Sequence, residues 1–352
     1  MSSLMEYVEK LEGADEAERI YAAEDIGYLN TADSVPPLLK RLGGEPSRAV
    51  REAIFQALTR IDADAAIAGA IWLLASDDPQ IRNQAVEVLR CKGARSIPLL
   101  STVMRERDKD LRKLVLDVLS GVESSGAEAI YRAALGDPEL NVVITAVENL
   151  GRSRATGFRR QIDDLLLSAT HPMLLGACLE ALAGVGDEQS LTAIRRRFPL
   201  LTALPDFYLV SCLKAIGALG TPGEFAEVAG LLAVRGAHLR PAILGTLIAI
   251  HQRHPGEVHG ADLLPALQAM VDEAGPPLGR YEAVRAMGVL FPGDQVFAHL
   301  IACLNSPERM VRLAAIESLR EAGRPGLEEV LAARALVETD EEVQQALGCG
   351  AD

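Results

Sequence analysis

Apolar residues in this chain recur on two scales. Within a stretch such as Asp77–Arg90, DDPQIRNQAVEVLR, they fall three and four apart, the spacing that gathers them on one face of a helix. The outline of that stretch then returns about every 32 residues. With Asp78 as position zero, equivalent anchors stand at Asp15, Ser47, Asp108, Glu139, His171, Pro205, Gly236, Pro276, Glu308 and Asp340. Successive anchors are 30 to 34 residues apart, except for one interval of 40.

Seven residues after each anchor the chain carries Ala22, Ile54, Ala85, Val115, Ala146, Cys178, Cys212, Ile243, Ala283, Ala315 and Leu347, all apolar. Eleven residues after it stand Ile26, Leu58, Leu89, Leu119, Leu150, Leu182, Ile216, Leu247, Met287 and Leu319. With positions +3 and +8 they complete one stripe at 100° per residue, so the segment after each anchor is predicted to be an amphipathic helix. A second helical pattern precedes each anchor, as in VPPLLKRL from Val35 and SIPLLSTVM from Ser96, with Asp, Gly or Pro marking the turns. Each unit is therefore a helical hairpin. One hairpin cannot bury its apolar face alone, whereas stacked hairpins bury one another's, which predicts an all-α solenoid of about eleven units. No change of composition divides the chain, so a single continuous solenoid is expected over 1–352, capped at both ends and with an insertion near 251–262.

Units such as DPQIRNQAVEVL and DKDLRKLVLDVL resemble HEAT repeats, in particular the short HEAT-like repeats of the phycobilin (PBS) lyase type. The resemblance implies a right-handed superhelix with the second helices lining a concave face. It also implies a ladder of hydrogen bonds between turn aspartates (Asp15, Asp78, Asp108) and the arginines four residues past the anchors (Arg19, Arg51, Arg82, Arg112, Arg240, Arg280, Arg312). Val143, Leu175 and Leu209 depart from that pattern, which suggests either drift between repeats or a softer centre.

Composition sharpens this picture. Hydrophobic residues make up 49% and aromatic residues only 4%, as suits closely packed helices. The opening MSSLMEYVEK is acidic where a secretion signal would be basic, and no apolar run nears the roughly 18 to 20 residues of a membrane span. A cytoplasmic chain is expected. Its five cysteines form no C-x-x-C pair, so they read as reduced thiols. The net charge of −14 disfavours nucleic acid and favours a protein or peptide partner with a basic or amphipathic segment.

Positions +2, +5, +6 and +9 lie opposite the buried stripe and are expected to face the groove. Position +9 runs through Glu87, Asp117, Glu148 and Glu180 to Lys214 and Arg285; position +2 runs through Asp110 to Met173, Phe207, Leu278 and Met310. The groove thus reads as acidic in its first half and more apolar in its second. The arginines at 152, 154, 159, 160 and 195–197 are expected on a solvated, salt-bridged face, given Asp163, Asp164, Asp187 and Glu188 nearby. His251, His254 and His259 cluster in the long interval without an established metal-ligand spacing, and no nucleophile elbow or phosphate-binding loop occurs. Neither cofactor nor catalytic residue is expected. The reading is a scaffold or signalling adaptor that binds a protein through its groove. The family resemblance adds an alternative, a bilin lyase or isomerase, or an accessory to one, acting on a tetrapyrrole-carrying protein.

Overall fold

The computed structural model describes residues 4–348 apart from 107, 121, 123, 124, 259–262, 273–276 and 292. His259 and the anchor Pro276 lie outside the described residues. Each predicted unit is a helical pair, and no strand occurs among the described residues. The helices group into two compact units, Met1–Asn149 and Leu150–Asp352.

Among the described residues, six of the anchors recur as side-chain N-caps of helices; Pro205 and Glu308 stand at the same position without a side-chain cap bond, and Gly236 opens a 3-10 turn ahead of its helix. Asp15, Ser47, Asp78, Asp108 and Asp340 each adopt extended backbone and accept a hydrogen bond from an amide in the first turn, at 2.9 Å from Glu18 N in the first case. A short polar side chain there satisfies amide groups that the helix itself leaves unpaired. His171 does the same with Nδ1, accepting from the Met173 amide at 3.3 Å. The register follows: every apolar residue at +7 and +11, from Ala22 and Ile26 to Ala315 and Leu319, is buried.

In the first unit the second helices stack in the order Glu16–Leu29, Arg48–Arg60, Pro79–Lys92, Lys109–Leu119. In the other unit Pro172–Val185, Asp206–Leu219, Arg240–Arg253, Pro277–Leu290 and Arg309–Ala322 do likewise. At two joints a glycine at +12 of one helix lies directly against the residue at +10 of the next. A Cβ on Gly27 would stand 2.8 Å from Cα of Ala57, and one on Gly288 would stand 2.5 Å from Cβ of Ser318, so these joints close only over glycine. Thr59 and Val88 occupy the equivalent positions between Arg48–Arg60 and Pro79–Lys92, and those two helices pack less closely.

The expected ladder is corrected in its acidic partners. Arg51 does reach the turn aspartate of the next unit, Asp78, at 3.3 Å. Asp15 and Asp108 instead cap their own helices, and the arginines turn to the acid two residues before the next anchor. Arg19 meets Glu45 (Nε–Oε2 3.0 Å), Arg112 meets Asp137 (Nε–Oδ2 2.7 Å) and Arg312 meets Glu338 (Nε–Oε2 3.0 Å). The side chains of these pairs are at most 10% exposed, and the spare guanidinium nitrogen donates to turn carbonyls such as those of Ala14, Glu106 and Ser306. Burial alone would push the three carboxyls up. Hydrogen bonds from backbone amides and the guanidinium groups outweigh it and hold Glu45, Asp137 and Glu338 below the ordinary carboxylate range.

Leu175 and Leu209 have no guanidinium to offer and sit in the core. The turn carbonyls they leave are served from the first helix of the following hairpin: Arg197 donates to Ala169 O at 3.0 Å, and Arg235 donates to Leu204 O at 2.6 Å. At two of the three departures, then, other arginines serve the turn carbonyls.

Candidate functional site

The residues expected along the groove divide between the two units, and the surfaces of each unit stand apart in character. In the second unit, position +2 of the stacked second helices places Met173, Phe207 and Leu278 at the N-terminal ends of Pro172–Val185, Asp206–Leu219 and Pro277–Leu290. They are 56%, 64% and 49% exposed; Met310 is half-buried. Core side chains of the same helices, such as Leu209 and Cys212, are fully buried, so Met173 and Phe207 on neighbouring helices, and Leu278 beyond the exposed His238 that precedes the helix between, are apolar features separate from the core. Phe207 meets the Tyr208 ring edge-on at 5.2 Å, and Tyr208 stacks on Phe198 at 6.3 Å. That contact holds the exposed ring on an aromatic base.

Alongside the apolar row, the charged residues at +9 pair with their neighbours. Lys214 pairs with Glu180 of the preceding second helix. Arg285 lies 3.6 Å from Glu317 and 3.0 Å from Glu321 of the following one. These three candidates therefore already have partners within the unit.

In the first unit Glu87 pairs with Arg90 at 2.6 Å, one turn along its own helix. Asp117 is half-buried, and its backbone carbonyl accepts from the Arg90 guanidinium at 2.7 Å. Asp110 and Glu148 are exposed. The acidic strip is thus partly neutralised inside the protein, which position along the sequence could not show.

Sequence reasoning missed a trough beside Glu87. Because Thr59 and Val88 hold Arg48–Arg60 and Pro79–Lys92 apart, two cavities of about 300 and 600 Å³ open between them. They share Glu52, Phe55 and Gln84 and so form one channel. Its floor is Phe55, Ile81 and Val88; its walls carry the carboxamides Gln56, Gln80, Asn83 and Gln84 beside the charged Arg48, Arg51, Arg60, Glu52 and Glu87. The available signal was carboxamide at +9 of one repeat and at +2, +5 and +6 of the next.

The remaining candidates behave as polar surface or core. Arg159 pairs with Asp163 at 2.5 Å and Asp187 at 3.1 Å, and Arg195 with Glu224 at 3.5 Å and Glu227 at 2.6 Å, as expected for a salt-bridged face. Cys178 and Cys212 are buried, and burial pushes both thiols up to about 12, which keeps them protonated and unreactive. His254 lies 4.0 Å from Glu257, and no cluster of three potential metal ligands occurs among the described residues. No helix among the described residues is long and apolar enough to cross a membrane.

Stacked helical hairpins without a catalytic cluster in view define an α-solenoid repeat protein. A family model of HEAT repeats matches residues 4–90 and 263–348, and the residues between them form further helical hairpins. No curated protein matches the sequence. Among solved structures, importin beta in a polyethylene glycol condition superposes with a TM-score of 0.66 at 14% identity, over 98% of this chain and 58% of that one. Importin beta in an ammonium sulfate condition gives 0.61 at 15% identity, over 98% and 56%. Kap95p, whose binding induces the switch loops of RanGDP to adopt the GTP-bound conformation, gives 0.63 at 13%, over 97% and 56%. This chain therefore spans a little over half the length of these proteins, and at such identities the likeness is one of fold.

Proposed function

We propose that the protein is a non-catalytic scaffold or adaptor that binds a partner protein through the exposed faces of its second helices. The observation that carries this reading is the row Met173, Phe207 and Leu278, large apolar side chains held in solvent on stacked helices. Apolar anchors of this kind supply affinity when a partner covers them, and flanking charges set orientation and encounter rate. The partner segment that fits these residues is amphipathic, with apolar side chains to cover them; in the first unit, taken by itself, the exposed Asp110 and Glu148 suit basic residues. Protein binding by structural neighbours such as Kap95p is consistent with that use of the fold. A cytoplasmic setting accords with cysteines that are free and mostly buried. The bilin-lyase alternative has no observation in its favour beyond the sequence resemblance.

The test is affinity capture from source-cell lysate with wild type and Met173→Ala/Phe207→Ala side by side, read by mass spectrometry. Both side chains are more than half exposed, so the variant is expected to keep its thermal transition within about 0.5 kcal/mol of wild type. A protein retained by wild type and lost from the folded variant supports the reading; identical captures remove it.

A further inference from the structure

The trough between Arg48–Arg60 and Pro79–Lys92 has a chemistry that a solvated helix face does not require. Four carboxamides line it, out of 15 Asn and Gln residues in the whole chain. Among the described residues, none of the four side chains has a hydrogen-bond partner in the protein. Each offers two donors and one acceptor at the edge of an apolar floor. Glu52, at the point where the two cavities meet, is exposed and likewise has no ion-pair partner.

We propose that this trough binds an extended peptide segment of a partner protein, with its backbone hydrogen-bonded by Gln56, Gln80, Asn83 and Gln84. A basic side chain of the segment pairs with Glu52. The proposal rests on the protein-binding reading and narrows it. Helices and sheets have already used their amide and carbonyl groups, whereas an extended segment presents both in alternation, and carboxamides match both. The floor of Phe55, Ile81 and Val88 takes an apolar side chain from the segment's inward face. Arg48–Arg60 is 13 residues long, about 20 Å, which accommodates roughly six residues of extended chain. A nucleic-acid strand fits less well: Arg48, Arg51 and Arg60 line the channel, but Glu52 and Glu87 stand among them, Arg51 is paired with Asp78, and Arg60 lies over the Tyr28 ring.

The experiment is selection of a displayed library of random dodecapeptides against the full chain. The best peptide is then synthesised with free and with N-methylated backbone amides. Its affinity is measured for wild type, Gln56→Ala/Gln84→Ala, Glu52→Lys and Phe207→Ala, all at exposed positions. The expected peptide carries Lys or Arg and binds the carboxamide variant about tenfold more weakly, as loss of two ordinary hydrogen bonds implies. It is weakened similarly by N-methylation and by Glu52→Lys, and is indifferent to Phe207→Ala. Peptides that bind the carboxamide variant as well as wild type, or no selected peptide at all, overturn the proposal. If partner capture still depends on Met173 and Phe207 in that event, the scaffold reading stands without the trough. Binding of an oligothymidylate that is lost on Arg48→Glu would overturn it in favour of nucleic acid.

Discussion

Asp137→Ala is the most informative perturbation of the fold, because it removes one half of a buried pair and leaves the other in place. Arg112 is buried and the side chain of Asp137 is only 6% exposed; they are joined by two hydrogen bonds of 2.7 and 2.8 Å, and Asp137 also accepts from the Glu139 amide at 2.8 Å. Truncation takes the carboxylate from a buried guanidinium that cannot deprotonate and keeps its bond to the Glu106 carbonyl, at a cost of about 3 kcal/mol. In a stack held by nearest-neighbour contacts, that loss concentrates on the hairpins it joins, so hydrogen exchange should accelerate in Lys109–Leu119 and its neighbours before the rest of the first unit. Replacing both partners, Arg112→Met with Asp137→Leu, should cost less than the sum of the single changes by at least about 1.5 kcal/mol. The pH dependence has a definite sign. The Asp137 carboxyl is held below its unfolded value of about 3.9, so its contribution is complete at neutral pH and is lost as pH falls through the folded value. The gap between wild type and Asp137→Ala in urea titrations should therefore narrow in acid. A gap under about 1 kcal/mol at pH 7, or one that stays constant into strong acid, refutes the reasoning.

Two further changes probe the packing. Leu119→Asp puts an unpaired charge at a position only 2% exposed between stacked hairpins, and should abolish the cooperative thermal transition of the first unit; an unaltered transition would disprove the repeat register. Gly288→Val pushes side-chain atoms against Ser318, where a Cβ alone would approach to 2.5 Å, and should destabilise the second unit by about 1–3 kcal/mol, while the same change at the open Gly245 should be neutral or slightly stabilising through helix propensity. Equal effects at the two glycines in chemical denaturation would contradict the close joint.

How much of this was legible in the sequence follows from what each residue must satisfy. The helix pairs and their register were plain, because Ala22, Ile54 and Leu89 answer to burial and Asp78 to unpaired amides, and both demands repeat with the unit. The bonded partners were less plain. Arg19 and Arg312 were singled out correctly, but Glu45 and Glu338 were not, since an acid just before a cap looks like ordinary polar turn until its burial is seen. The surface was harder still. Lys214 reads as a free groove cation in sequence, and its pairing with Glu180 depends on the lateral alignment of neighbouring helices. Phe207 and Met173 were legible as apolar residues out of phase with the stripe, and both are exposed. The trough escaped notice because it arises from bulk at Thr59 and Val88, residues that look unremarkable for a helix until glycine and alanine are found in their places at tighter joints.

The central claim is that exposed faces of the second helices form the binding surface. The most direct measurement is hydrogen–deuterium exchange by mass spectrometry on the full chain, with and without the partner obtained by capture. The account predicts slowed exchange at the N-terminal turns of Pro172–Val185, Asp206–Leu219 and Pro277–Leu290, with little change in the first helices Arg159–Ser168, Glu188–Arg197 and Pro222–Val234. Protection confined to those first helices would place the interface on the opposite face and contradict it.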